Sequence, residues 1–435
     1  MPSDIRQGGV SAAPAAVVTA LAVAMTALAV TEAQGQERPQ AFEGAEIIPI
    51  EGDPIPNGVL VVSDGTIDAV GPAGDVEIPA EAEVHDVEGE TIMPGLVDTH
   101  SHIGGGDGGD GSAPMHPDAR IFDSFDPRHE SIQRARTGGV TTANVMPGSG
   151  HLLSGQTIYV KLRDGGTIYD LLVHDTDQEI PGGIKMANGT NSIRGGGGTF
   201  PGTRARSASL VREKFLEAQE FVEQRQEAEN NADAEPPSRN LEMEGLAEVL
   251  EGDRIVHFHT HTHFDIMTAI RMGEEFGFEP VLHHVSDGWK VAEEIAEAGV
   301  MSSIIVLDSP GGKLEAVNVH FKTGPYLEEA GADFSYHTDD GITDSRVFLR
   351  SPALGVRAGM SEEVALESVT LAGARQMGLE DRIGSLVEGK DADFIVLDGE
   401  PLSVYTQVQE TWIDGERVFD RSDEDDQRHA VGGDQ

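Results

Sequence analysis

Apolar residues in this chain fall into short runs, and the runs change character along its length. Between residues 45 and 92 they are brief: Ile47–Ile50, Gly58–Val62 and Thr66–Val70 are separated by Pro54, Pro56, Asn57 and the Asp64-Gly65 pair. That spacing predicts strands joined by tight turns. A second β-rich stretch returns near the other end, at Asp393–Asp398 and Thr411–Phe419. In the middle, strand-like runs at Gly139–Met146, Ile184–Met186, Ile255–His259, Pro280–His284, Ser303–Leu307 and Phe334–His337 alternate with helical periodicity over 207–229, 264–276, 287–298 and 361–377. Residues 225–240 are polar and read as a surface excursion. Strand–helix alternation sustained over about 280 residues predicts an α/β chain folded as a (β/α)8 TIM barrel. The two β-rich ends predict one small β-sandwich built from both termini, over 41–92 plus 380–422, around a barrel over 93–379.

The first residues follow a different pattern. Arg6 precedes an apolar Ala/Val-rich stretch from Ala12 to Val30, and a polar segment follows with small residues near Ala33. This predicts a cleaved export signal over 1–33, and hence a periplasmic or extracellular protein with no stable membrane insertion after cleavage. A membrane anchor is the competing reading, because the stretch is about as long as a bilayer span. Residues 423–435 read as an acidic flexible tail.

Charge narrows the function. Acidic residues number 76 against 30 basic ones, a net charge of −46. Nucleic acid is excluded as a partner, since phosphate recognition needs a basic surface. A small-molecule substrate is expected, and a homo-oligomer is compatible with the sequence. Self-repulsion on this scale is relieved by salt, so the acidity reads as a halophilic-type surface. The chain has no cysteine. Any metal must therefore be held by imidazole, carboxylate or a modified side chain.

The histidines supply the candidate chemistry. Pro94–His102 is an apolar run ending in His100-Ser101-His102. Residues i and i+2 of a strand share a face, so both imidazoles converge on one point at the strand's C-terminal end, where barrel enzymes place their sites. His257, His259, His261 and His263 alternate at another inferred strand end, His283-His284 end the next, and Asp339-Asp340 follow Tyr336-His337-Thr338. Histidines at three separate strand ends plus an aspartate are hard to explain by packing. Neutral imidazoles with a carboxylate suit Zn²⁺ or a similar divalent ion. Arg194, Arg204 and Arg206 follow the Lys185 strand and are candidates to grip a substrate carboxylate, as His261 and His320 are to touch substrate. Solvated side chains are the plainer explanation for the arginines.

Four segments together resemble the amidohydrolase superfamily: Pro94–His102, the strand-end histidines, His337–Asp340, and Gly384–Leu402. The resemblance spans about residues 45–420 and is greatest to the imidazolonepropionase-related and Xaa-Pro-dipeptidase-like group. It implies metal ligation by His100, His102, His259, His284 and Asp339, with Asp339 also the general base, and one or two ions bound. It also implies that Lys185, in Gly183–Ala187, is carboxylated and bridges two ions. A packed lysine paired with an acid is the alternative, and His261 could take the place of His259. Where deaminase members carry a glutamate three residues after the fifth-strand histidine, this chain has Thr262. The resemblance therefore implies hydrolysis of an amide, cyclic amide or dipeptide C–N bond by a metal-bound hydroxide, with Asp339 shuttling the proton. Hydrolysis of esters, lactones or phosphoesters, and a non-catalytic metal- or ligand-binding barrel, are the alternatives.

Overall fold

The computed structural model describes residues 38–106, 108–174, 180–194, 198–306 and 313–431. The segment read as an export signal, 1–33, lies outside these. Among the described residues no helix is long and apolar enough to cross a membrane.

The N-terminal strands are β1 (Gln40–Ile47), β2 (Ile55–Ser63), β3 (Thr66–Pro72), β4 (Glu83–Asp86) and β5 (Thr91–Pro94). The middle of the chain contributes β6 (Leu96–Ser101), β7 (Val140–Val145), β8 (Leu153–Gln156), β9 (Ile158–Lys161), β10 (Ile184–Ala187), β11 (Val256–Thr260), β12 (Pro280–His284), β13 (Ser302–Ile304) and β14 (Phe334–Tyr336). The last strands are β15 (Phe394–Leu397), β16 (Val408–Ile413) and β17 (Glu416–Asp420).

Both ends meet in one mixed sheet of order β17-β16-β15-β5-β1-β2-β3, with β4 paired to β1. The junction is β5 against β15, antiparallel, with Pro94 opposite Phe394. Its core is aromatic. Phe394 and Trp412 stack with ring centroids 5.6 Å apart, and Phe42 meets both edge-on at 4.9 and 5.0 Å, an arrangement favoured by the ring quadrupoles.

The middle forms two further sheets. Strands β10 to β14 run parallel in chain order, with β8 antiparallel on β10, while β6 pairs parallel with β7 and β7 antiparallel with β9. Backbone hydrogen bonds join the two sheets at both margins. On one side Tyr159 N–H donates to Pro181 at 2.9 Å and Thr157 N–H to Gly183 at 2.9 Å. On the other, Ser101 and Asp340 form an isolated parallel bridge. The parallel strands are buried on both faces, as strands flanked by helices are.

A buried ion cluster ties the middle to the two-ended sheet. Lys161, at the end of β9, is fully buried and reaches Asp391 at 2.6 Å, Asp393 at 3.0 Å and Asp414. Asp414 also takes Arg163. Burial alone would lower the Lys161 pKa, but Asp393, Asp414 and Asp391 outweigh it and hold the amine above its ordinary value.

Several expectations change in detail. The first strand ends at Ile47 rather than running to Ile50, which sits at φ 72°. The run at 411–419 is a hairpin, turning at Asp414-Gly415. Ser303–Leu307 is a strand only over Ser302–Ile304, and Leu307 is outside the described residues. The helix read over 361–377 is broken into Glu362–Glu367 and Leu371–Arg375. The cause is external: the Ser368 carbonyl accepts from Tyr336 N–H and that of Val369 from Val97 N–H, both at 2.9 Å. Those carbonyls serve β14 and β6 instead of the next helical turn. Within 423–435, read as an acidic flexible tail, Glu424–Val431 is a helix, and the Asp420 amide donates to Asp426 at 2.9 Å; residues 432–435 lie outside the described residues.

Candidate metal centre

Strand register carries the histidines to one place. In the parallel ladder His259 lies opposite His283 and Thr260 opposite His284. His257 and His259 share a face of β11, and His261 follows just past its end. His100 sits on β6 and His102 just beyond it. Asp339 follows β14, and its amide donates to the His100 carbonyl at 2.9 Å. The Asp98 carboxylate accepts from Thr338 N–H at 3.0 Å and from the Thr338 hydroxyl, so it clamps the β6 segment to the residue before Asp339. The ligand positions are also conformationally unusual: His284 has φ 73°, Val285 φ 48° and Asp339 φ 51°. Non-glycine residues rarely adopt these values, and they cluster at functional sites.

Three overlapping groups gather ligand atoms within 4.8 Å of one another: His100, His102 and Asp339; His259, His261 and His284; and His100, His284 and His337. The Asp339 carboxylate is 3.0 Å from His102 Nε2, 3.5 Å from His100 Nε2 and 3.9 Å from His284 Nδ1. A test of fit comes from the hydrogen bonds. His102 Nδ1 lies 2.8 Å from the Met146 carbonyl, which can only accept. Nδ1 therefore carries the hydrogen, and in the neutral ring a lone pair on Nε2 faces the carboxylate. Two acceptors face each other, an arrangement a cation resolves. His259 Nδ1 and His261 Nε2 are buried with no hydrogen-bond partner among the described residues. A divalent ion suits both observations, since it takes neutral imidazoles and carboxylate oxygens.

The electrostatics agree. Burial, reinforced by neighbouring cationic groups, pushes His100, His259, His261, His283 and His284 well below the ordinary imidazole value, so they stay neutral and available as ligands. Lys185 is fully buried, with Nζ 3.2 Å from His100 Nε2, and burial lowers its pKa to about 7.

The structure thus brings together His100, His102, Lys185, His259, His284 and Asp339, and places His261 beside His259 with both near His284. The other suggested substrate contacts have protein partners of their own. Arg194 donates to the Gly150 carbonyl at 2.8 Å and lies 4.9 Å over the Phe200 ring. Arg206 pairs with Glu213 on its own helix at 2.9 Å. His320 is exposed beside Trp289 and accepts from the Lys322 amide. Arg204 grips Asp265 through Nε at 3.0 and 2.9 Å. These arginines serve local loop and helix ends, a role spacing alone could not separate from substrate binding.

Two residues of the site were not picked out from the sequence. His337, two positions before Asp339, gathers with His100 and His284; the i, i+2 spacing that flags His100 and His102 would have found it. Lys313, whose Nζ is 3.4 Å from His259 Nε2, sits in a loop and carries no periodic signal. Thr262, in contrast, gains a structural role: its side chain caps the helix His263–Phe276 by accepting from Asp265 N–H.

Imidazoles and a carboxylate gathered at the ends of parallel strands form a cluster that fits a divalent metal ion. The family model described as "Amidohydrolase family" matches residues 341–419. A solved amidohydrolase from Thermotoga maritima is 30% identical, with a TM-score of 0.80, covering 88% of this chain and 100% of that one. "Amidohydrolase tasK" of Hapsidospora irregularis is 28% identical over 379 residues, 79% of this chain; the chain spans only 38% of that relative's length. An imidazolonepropionase from Deinococcus deserti is 25% identical, covering 83% of this chain and 92% of its own. The chain belongs to the amidohydrolase family, whose members hydrolyse carbon–nitrogen bonds.

Proposed function

We propose that this chain is an exported, divalent-metal-dependent hydrolase of amide, cyclic-amide or dipeptide C–N bonds, with Asp339 as its proton shuttle. The observation that carries this reading is the convergence of Asp339 with His100, His102 and His284, beside the partnerless imidazole nitrogens of His259 and His261. Zinc is the ion that suits this donor set best. When bound, it supplies an activated water near neutral pH and polarises the substrate carbonyl.

The chain's own residues do the rest. His100, His102, His259, His284 and Asp339 hold the ion. Lys185, with its pKa drawn down toward neutrality, has a free amine that would take up carbon dioxide as a carbamate with release of one proton, and would then add an anionic oxygen donor to this set. Asp339 is part-exposed, as is His102, while His100 and His284 beside it are buried. It takes the proton of the attacking water on a carboxylate oxygen and returns it to the leaving nitrogen. Thr262, where a deaminase-type glutamate would stand, is committed to capping a helix, which favours amide hydrolysis over deamination.

The same reading treats β6 to β14 as a closed (β/α)8 barrel. The backbone hydrogen bonds at both margins of the two middle sheets support it. The sheet built from both ends is then a separate β-sandwich over 41–92 plus 380–422. The test is metal content per chain, followed by turnover on a panel of dipeptides and cyclic amides with zinc added. No bound metal, or turnover confined to esters or phosphoesters, sinks the reading.

A further inference from the structure

Beneath His100 runs a buried line of hydrogen-bonding rings. His100 Nδ1 is 3.2 Å from His283 Nδ1, His283 Nε2 is 2.9 Å from His257 Nδ1, and His257 Nε2 is 2.9 Å from the Tyr159 hydroxyl. All four side chains are buried, none more than 4% exposed. In a neutral imidazole one nitrogen donates and the other accepts, so fixing one ring fixes the next.

The direction is set at the upper end. His100 Nε2 faces Lys185 Nζ at 3.2 Å, and the Asp339 carboxylate, its fellow ligand in the proposed centre, at 3.5 Å. A metal ion, or a lysine N–H, demands a lone pair there. His100 must then carry its hydrogen on Nδ1 and donate to His283. His283 donates through Nε2 to His257, and His257 through Nε2 to the Tyr159 oxygen. We propose that His283 and His257 are positioning residues that, anchored on Tyr159, hold His100 in its metal-binding tautomer and orientation. This rests on the reading of His100 as a ligand.

The protein loaded with zinc and labelled with ¹⁵N-histidine tests the assignment without any substitution. His100 is expected protonated on Nδ1, and His283 and His257 on Nε2; the opposite tautomer at either of the last two overturns the proposal. Zinc affinity, measured by chelator competition, tests the consequence. His283→Leu is expected to bind zinc about 10–100-fold more weakly. His283→Gln, whose amide oxygen can accept from His100 and whose amide nitrogen can donate to His257, is expected to stay within about threefold of the parent. Parental affinity in His283→Leu overturns the proposal. Equal loss in both variants overturns it too, because ring packing alone would then explain the effect. His100→Ala separates the two levels: undiminished zinc binding there removes the metal-centre reading itself, whatever His283 does.

Discussion

The amide of Asp339 donates to the carbonyl of His100 across 2.9 Å, so the first and last proposed ligands are tied together through backbone as well as through any ion they share. Substituting the Asp339 side chain leaves that bond in place. Asp339→Asn should fold normally and retain metal, while kcat falls about 10²–10⁴-fold for loss of the proton acceptor. Metal analysis beside steady-state kinetics checks this, and near-parental turnover would remove Asp339 from its role.

Asp98 holds the same junction from below. It is fully buried, and burial raises its pKa to about 7 even though Thr338 donates to it. Asp98→Ala leaves the buried Thr338 amide unpaired, at a cost of about 1–3 kcal/mol. Denaturant unfolding should show that loss, together with weaker metal binding. Unchanged stability would mean Thr338 finds another acceptor.

The Lys161 cluster predicts a larger loss. Lys161→Met removes the one cation shared by Asp391, Asp393 and Asp414, and stranding buried charge in this way costs about 3–5 kcal/mol. Midpoint shifts in urea measure it; a change below about 1 kcal/mol would place the cluster with ordinary surface pairs.

Acid should unfold the metal-free protein early. The buried imidazoles have folded-state pKa values below the ordinary 6.5; for His257 and His337 burial brings them to about 3. Below pH 6.5 the unfolded chain gains protons that the folded chain refuses. The stabilising contribution is therefore full above 6.5 and is lost as pH falls toward the folded values. Each such histidine contributes about 1.4 kcal/mol per pH unit within that window. Unfolding free energy at pH 7.5, 6 and 5 tests the slope, and a flat profile would contradict the burial of these rings.

Salt should act in the opposite sense. With a net charge of −46, repulsion is screened over about 10 Å at 0.1 M salt and about 3 Å at 1 M. The melting temperature should rise by several degrees or more between those concentrations. A constant or falling value would detach the acidic composition from a high-salt habitat.

Much of this cluster was legible because its candidate ligands sit at strand ends, where period-two alternation is visible. His100 with His102, and His259 with His261, are such pairs. His337 obeys the same alternation two residues before Asp339. Lys313 and the Asp98 clamp were not legible, since each depends on contacts between segments more than fifty residues apart. The broken helix at 368–370 failed for a related reason. Local periodicity favoured continuity, while the Ser368 and Val369 carbonyls were claimed by distant strands. Arg206, a cation near the Lys185 strand in sequence, pairs with Glu213 two turns along the same helix face, a contact that sequence spacing does not separate from a substrate role.

The pairing of β5 with β15 places residues 91–94 against 394–397. A ribosome must therefore deliver about three hundred further residues before β5 finds this neighbour, and until then that edge of β5 stays open. A translation product stopped short of Phe394 would keep every histidine of the centre yet expose that edge, leaving a fragment fit for aggregation rather than catalysis.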